Sequence, residues 1–263
     1  SPEWCFAFLG AIRLKAIAVP LDAQSTKKEI EYVINDCKPD IVFITADKKE
    51  LFGEINLCGA RLLTPNEIKL SESENVPTSE ISMGAAEETM LINYTSGTTG
   101  SPKGVMLSYK NVMYNVDSVS KSVPIYQEVS NVMVLLPLHH ILPLLGSLVA
   151  PLHVGGTIHI AEAMNAESII KTLNEGKISI IIGVPRLYDM LVKGVMNKIN
   201  ASFITRFLYK AVKFIGSDSV SKIVFSSVHK KFGGHLKYLV SGGAALSIET
   251  ATILKTLGLY VLE

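Results

Sequence analysis

Residues 129–161 read VSNVMVLLPLHHILPLLGSLVAPLHVGGTIHIA and carry no charged side chain. On charge alone the run is long enough to span a bilayer, and how it is read decides the fold class. Pro137, Pro143 and Pro151 divide it, and His139, His140, His153, His159 and the Gly155-Gly156 pair lie inside it. A spanning helix with so many breaks and imidazoles would leave backbone groups without partners in lipid. The run therefore reads as strand (Val132–Leu136), loop, buried helix (Leu142–Leu152) and strand (Thr157–Ile160) in a globular core.

The alternation continues on both sides. Downstream come a helix over 166–174, a strand over 178–182, a helix opened by Pro185, a strand over 236–240, a Ser247-capped helix and a strand beginning at Tyr260. Upstream, 2–14 has helical spacing, 16–20 is a short apolar strand, and 26–37 is a helix capped by Ser25 or Thr26. The run Ile41-Val42-Phe43-Ile44 reads as a strand buried on both faces, 51–55 as a short helix and 61–63 as a strand. Residues 64–86 are the most linker-like part. Such alternation implies an α/β fold: two doubly wound, mostly parallel β/α subdomains packed together, over residues 1–122 and 131–263.

Composition narrows the function. The 263 residues hold 25 Lys+Arg and 24 Asp+Glu, a net charge of +1, with 48% apolar and 19% charged residues. That is too apolar for disorder and too balanced for a bulk polyanion binder, so no nucleic-acid partner is expected. Cys5, Cys37 and Cys58 are widely spaced and form no CxxC or Cys/His cluster, so they read as inert buried thiols, with no metal site. The N-terminus lacks a basic signal-peptide region.

One segment carries the chemistry: Asn93-Tyr94-Thr95-Ser96-Gly97-Thr98-Thr99-Gly100-Ser101-Pro102-Lys103-Gly104-Val105. It follows the apolar run Met90-Leu91-Ile92 and precedes a short strand and a Ser108-capped helix. Its glycines let backbone N–H groups turn toward an anion, its hydroxyls donate to phosphate oxygens, and Lys103 adds a positive charge. An ordinary surface loop is the plainer reading, but the density of glycine and hydroxyl groups argues against it. Gly100 and Lys103 are separated by Ser101 and Pro102, so this is not the common Gly-Lys-Ser/Thr phosphate loop. No Gly-x-Gly-x-x-Gly follows a strand, so a dinucleotide fold finds no support.

The segment Tyr94–Val105 resembles the signature of the adenylate-forming (AMP-binding) superfamily, which includes acyl-CoA synthetases, luciferases and peptide-synthetase adenylation domains. Three further matches occur in the family's order. Leu136-Pro137-Leu138-His139-His140 resembles its Pro-Leu-x-His motif. Val184-Pro185-Arg186-Leu187-Tyr188 resembles the segment beside the acyl pocket, and Ser241-Gly242-Gly243-Ala244-Ala245-Leu246 the glycine-rich turn that flanks adenine and substrate. The long basic stretch from Val195 to Gly234 is similar to the long-chain fatty acyl-CoA synthetases.

The resemblance implies ATP-dependent activation of a carboxylic acid, with coenzyme A as cosubstrate and magnesium spreading the leaving-group charge. Thr95, Ser96, Gly97, Thr98, Thr99, Gly100 and Lys103 would wrap the phosphates, with Lys103 and His140 as the catalytic pair. Gly242, Gly243, Ala244 and Ala245 would line the adenine, and His140, Val184 and Gly243 the carboxylate substrate. Against these roles, His140 has the reading of a core histidine, as taken for His153 and His159, and the glycine-rich turn that of a tight strand-to-helix connection. The ligand would lie in the crevice between the two sheets. The resemblance also places the β-barrel remainder, a ribose-binding Asp, the magnesium segment and a small C-terminal domain with a catalytic lysine after Glu263, so the chain is read as a front part that catalyses little alone. The basic residues from Arg206 to Lys231 read as a solvated face, with contact to an anionic membrane surface as the second reading. The expected location is cytoplasmic, with peripheral contact on the inner face of a membrane. Oligomeric state is left open. Alternatives to a fatty acid ligase are an aryl- or amino-acid-activating enzyme and a non-catalytic nucleotide- or lipid-binding module.

Overall fold

The structure is a computed structural model that describes residues 1–67, 84–95, 102–122, 124–126, 130–163 and 165–263. The chain groups into two compact units, Ser1–Met113 and Tyr114–Glu263.

In the first unit, α1 (Pro2–Arg13) starts on a proline and buries Cys5 and Phe8, with Trp4 stacked on Phe8 at 5.4 Å. Helix α2 (Lys27–Cys37) opens on a reciprocal cap: Glu29 N–H donates to Thr26 Oγ1, and Thr26 N–H donates to Glu29 Oε2 at 2.7 Å. Its buried Ile30, Val33 and Ile34 follow the helical repeat, and Ile30 and Ile34 pack with Val42, Ile44, Phe52 and Ile55 into a small core. Strand β1 (Ile41–Phe43) and strand β2 (Arg61–Leu63), separated by α3 (Lys49–Gly53), form a two-stranded parallel sheet. Ile41 is 56% exposed, because so narrow a sheet is covered on one face there; the strand is not buried on both faces as its apolar run suggests.

Residues 16–20 also differ from a full strand. Only Ala18 pairs, donating to Met90 O at 3.0 Å and accepting from Ile92 N–H at 2.9 Å. The partner segment, β3 (Thr89–Thr95), pairs antiparallel with β4 (Lys103–Ser108), in contrast to the other described strand pairs, which are parallel. Ser108 and Asn111 cap each other at the start of α4 (Tyr109–Ser122), with Asn111 N–H to Ser108 Oγ at 3.2 Å and Ser108 N–H to Asn111 Oδ1 at 3.0 Å.

The second unit is a doubly wound sheet. Its strands β5 (Asn131–Val134), β6 (Thr157–Ile160), β7 (Ile180–Gly183), β8 (Tyr238–Ser241) and β9 (Tyr260–Leu262) lie in the order β6-β5-β7-β8-β9, all parallel. Counted along this unit the order is 2-1-3-4-5, so the winding reverses between β5 and β7. Ile180, Ile181 and Ile182 are at most 1% exposed, as expected for a central strand covered on both faces.

The uncharged run forms β5 and then a helical stretch made of α5 (Ile141–Pro143), a π-helical segment (Leu144–Val149) and α6 (Ala150–His153) before β6. Around the sheet lie α7 (Ala166–Glu175), α8 (Pro185–Asn200), α9 (Phe203–Ile215), α10 (Asp218–Val224), α11 (Ser226–Lys231) and α12 (Ile248–Thr256). Asn165 and Ser247 cap α7 and α12 through Ser168 N–H at 2.8 Å and Thr250 N–H at 3.0 Å. The main core joins Met133, Leu173, Ile178, Ile181, Tyr188 and Leu239. Among the described residues no helix is long and apolar enough to cross a membrane.

Two readings of individual side chains are corrected. Cys5 is buried, but Cys37 is only partly so and Cys58 is exposed, its thiol donating to Asn35 Oδ1 at 3.2 Å. His153 is no core histidine: it lies at the exposed end of α6, with Nε2 3.6 Å from Asp117 Oδ1.

Candidate functional site

In the first unit the hairpin sets the ends of the glycine- and hydroxyl-rich loop. Thr95 is paired with Lys103 across β3 and β4, and Tyr94 with Gly104. The loop residues Ser96, Gly97, Thr98, Thr99 and Gly100 lie outside the described residues. Both Thr95 and Lys103 are exposed at the open end of the ladder. Gly104 is required where it stands, because a Cβ there would come 2.8 Å from Ile92 Cγ2 and 3.1 Å from the ring of Tyr94. Tyr94 ties the hairpin to α2: its hydroxyl donates to Asp36 Oδ2 at 2.6 Å. Burial, reinforced by that bond to a carboxylate, pushes the phenol's pKa up, so it stays a neutral donor.

In the second unit three of the sequence motifs fall at the carboxyl ends of three neighbouring strands. His140 follows β5 and stands at the N-terminus of α5, its carbonyl accepting from Leu144 N–H at 3.0 Å. Its side chain is exposed and its ring lies 4.0 Å from that of His139, so it is not packed in the core. Val184 follows β7 as the residue before the first turn of α8. Gly242, Gly243, Ala244 and Ala245 follow β8, where Gly242 N–H donates to Gly183 O at 3.2 Å.

The three ends meet through short contacts. A Cβ at Gly242 would lie 2.7 Å from Leu142 Cδ2, so the start of the helical stretch closes directly over the glycine turn. Gly243 has φ +81°, and a Cβ built on it would have Val184 Cγ1 as its nearest neighbour at 3.9 Å. Gly243, Ala244 and Ala245 are exposed, while Leu246 behind them is buried and donates its N–H to Glu263 Oε1 at 2.9 Å. Tyr188, fully buried, braces the same edge from below: its hydroxyl donates to Val240 O at 2.7 Å.

The structure thus brings His140, Val184 and Gly242–Ala245 to one sheet edge, at the place where the strand order reverses. Crevices outside the carboxyl ends of strands at such a point are where open parallel sheets bind ligands. Sequence reasoning missed Ser241. Its side chain is 3% exposed at the end of β8, and its Oγ has no hydrogen-bond partner among the described residues. A small polar residue ending an apolar strand just before Gly-Gly is the signal that could have found it. No group of three or more His, Cys, Asp and Glu among the described residues is placed to hold a metal ion, so none of them is assigned to magnesium.

Comparison with known proteins shows the family and the fold. Long-chain-fatty-acid–CoA ligase 1 of Schizosaccharomyces pombe is 35% identical over 208 residues, covering 71% of this chain and 30% of that protein. Human long-chain-fatty-acid–CoA ligase ACSBG2 is 25% identical over an alignment that covers all of this chain and 46% of that protein. The chain therefore spans less than half the length of these relatives. The crystal structure of ATP-bound MatB from Rhodopseudomonas palustris superposes with a TM-score of 0.70 at 22% identity, over 96% of this chain and 45% of that one, which shows the fold. The AMP-binding enzyme family matches residues 1–261, nearly the whole chain, and the protein belongs to that family.

Proposed function

We propose that the chain is the nucleotide- and acyl-binding part of an ATP-dependent acid–thiol ligase that joins a long-chain fatty acid to coenzyme A through an acyl-adenylate. The observation that carries this reading is the 35% identity to a long-chain-fatty-acid–CoA ligase over 208 residues. The basic helical insert after α8 supports the long-chain assignment. In this reaction a carboxylate oxygen attacks the α-phosphorus of ATP and pyrophosphate leaves. The thiol of coenzyme A then attacks the acyl carbon and AMP leaves. No protein nucleophile is needed.

The residues divide the work. Thr95, Ser96, Gly97, Thr98, Thr99 and Gly100 cradle the β- and γ-phosphates, and Lys103 neutralises charge that builds on the departing pyrophosphate. His140 donates a hydrogen bond to the carboxylate oxygen and the charge that develops beside it. Gly242, Gly243, Ala244 and Ala245 let a flat base approach the backbone closely, and Val184 with Gly243 borders the acyl group. Magnesium, when bound with ATP, supplies further charge neutralisation to the phosphates.

Calorimetry with non-hydrolysable acyl-adenylate analogues tests the assignment. A palmitoyl analogue is expected to bind more tightly than an acetyl one by at least about tenfold, since each buried methylene is worth roughly 0.8 kcal/mol. Lys103→Ala should weaken ATP binding by about tenfold, the loss of one charge-assisted contact. Tighter binding of aryl or aminoacyl analogues would replace the fatty acid with another acid. Binding of ATP indifferent to Lys103→Ala would remove the loop from the reaction.

A further inference from the structure

Helix α9 has the sequence Phe203-Ile-Thr-Arg-Phe-Leu-Tyr-Lys-Ala-Val-Lys-Phe-Ile215, with no acidic residue. One side of it is packed. Tyr209 and Val212 are buried in the main core, Tyr209 against Phe225 with ring centroids 6.3 Å apart. At about 100° per residue, Phe203, Phe207 and Phe214 fall within an arc of roughly 40° on the far side of the helix from Val212. They are 75%, 64% and 93% exposed. Ile204 and Ile215, 68% and 57% exposed, border this stripe on one flank. Arg206, Lys210 and Lys213, all exposed, border it on the other.

Single apolar residues scattered over a surface need no explanation, but three aligned phenylalanines on a helix already anchored by its opposite face do. The neighbouring charges select what covers them. Three cations and no carboxylate on the same helix favour an anionic surface, and rings beside cations suit the boundary between lipid headgroups and acyl chains. Lys198 near the end of α8 lies close enough to Lys231 of α11 to depress the latter's pKa, so two further cations lie together on neighbouring helices.

We infer that the α9 face bearing Phe203, Phe207 and Phe214 docks flat on an anionic phospholipid membrane. The rings enter the headgroup–acyl boundary, and Arg206, Lys210 and Lys213 meet lipid phosphates. The inference stands on this helix alone and does not depend on the ligase chemistry.

Co-sedimentation of the chain with vesicles of phosphatidylcholine, with and without phosphatidylglycerol, tests it. The chain is expected to pellet with the anionic vesicles and to be released by salt. The double substitution Phe207→Ser with Phe214→Ser, and separately the triple substitution of Arg206, Lys210 and Lys213 by Glu, should each lower partitioning by about tenfold or more. These positions are exposed, so far-ultraviolet circular dichroism should be unchanged. A Phe214→Trp variant, which keeps an aromatic ring, should show a blue-shifted fluorescence maximum on the anionic vesicles. Failure of the unaltered chain to pellet would overturn the inference, as would binding indifferent to both sets of substitutions. Light scattering that finds a dimer dispersed by the serine pair would overturn it too, by assigning the face to a second copy of the chain.

Discussion

Gly242 and Gly243 occupy adjacent positions in one turn for different physical reasons. At Gly242 the constraint is space, since a methyl group would come 2.7 Å from Leu142 Cδ2, the mobile end of a side chain two residues beyond His140. At Gly243 it is backbone conformation, φ +81° with no neighbour closer than 3.9 Å to an added Cβ. Gly243→Ala is therefore expected to lower stability by about 1–2 kcal/mol through conformational strain, seen as a reduced urea midpoint at unchanged slope. Gly242→Ala should cost less stability but disturb ligand binding more, because Leu142, two residues beyond His140, has to move aside. An unchanged midpoint for Gly243→Ala would mean that the turn relaxes into another conformation. The small-residue requirement at these positions is legible in the sequence, as is the small polar residue before them; that Ser241 Oγ has no partner among the described residues is not. Whether a buried hydroxyl finds a partner depends on chain segments far away in sequence.

At the scale of elements, what can be read in advance is what is local. Ser247 announces its helix, and Ser25 or Thr26 announces α2, because capping joins residues three apart; the structure selects Thr26. The strand at residues 16–20 shrinks to one bridge at Ala18, because its pairing is set by Leu91, more than seventy positions away. The exposure of Ile41 follows from sheet width, which no local pattern encodes. Within the uncharged run, helix is evident, but its π-helical middle at Leu144–Val149 is not, since a segment whose one hydroxyl, Ser147, is buried has no polar face to mark the repeat. The cap at α2 carries a pH signature. Hydrogen bonds from the Thr26 backbone N–H, and then from its hydroxyl, hold the Glu29 carboxyl below its ordinary value. A depressed carboxyl contributes stability above its unfolded pKa and loses it as the pH falls through that value toward the folded one. Thr26→Ala should thus cost about 1 kcal/mol at neutral pH. The difference between variant and parent should shrink below about pH 4.5, the ordinary glutamate value. Equal differences at pH 7 and pH 3 in paired thermal melts would contradict the reciprocal cap.

For the molecule as a whole, a net charge of +1 conceals strong local contrast, with an acid-free cationic helix in one place and, in sequence, a glycine- and hydroxyl-rich stretch with a single lysine in another. The two units differ as sharply in how they are built. The second has five parallel strands with Val132, Met133, Ile180 and Leu239 at most 1% exposed, so the amides of β5, β7 and β8 open only when most of its core does. In the first, β1 and β2 pair only with each other among the described strands, and Ile41 faces solvent. Opening free energies track buried apolar contact, from near zero at frayed edges to the global value in central strands. Native-state hydrogen exchange should accordingly show amides of β7 slower than those of β1 and β2 by on the order of a hundredfold or more. Strands β6 and β9, at the edges of the same sheet, should fall between them. The ranking bears on function, because His140, Val184 and Gly242–Ala245 all hang from the carboxyl ends of the slow strands β5, β7 and β8. The proposed binding edge, carried on the most protected part of the sheet, would then be held in place before any ligand arrives, which lowers the ordering cost of binding. Equal protection in β1 and β7 would mean that the chain unfolds as one cooperative body and that this rigidity is not localised at the site.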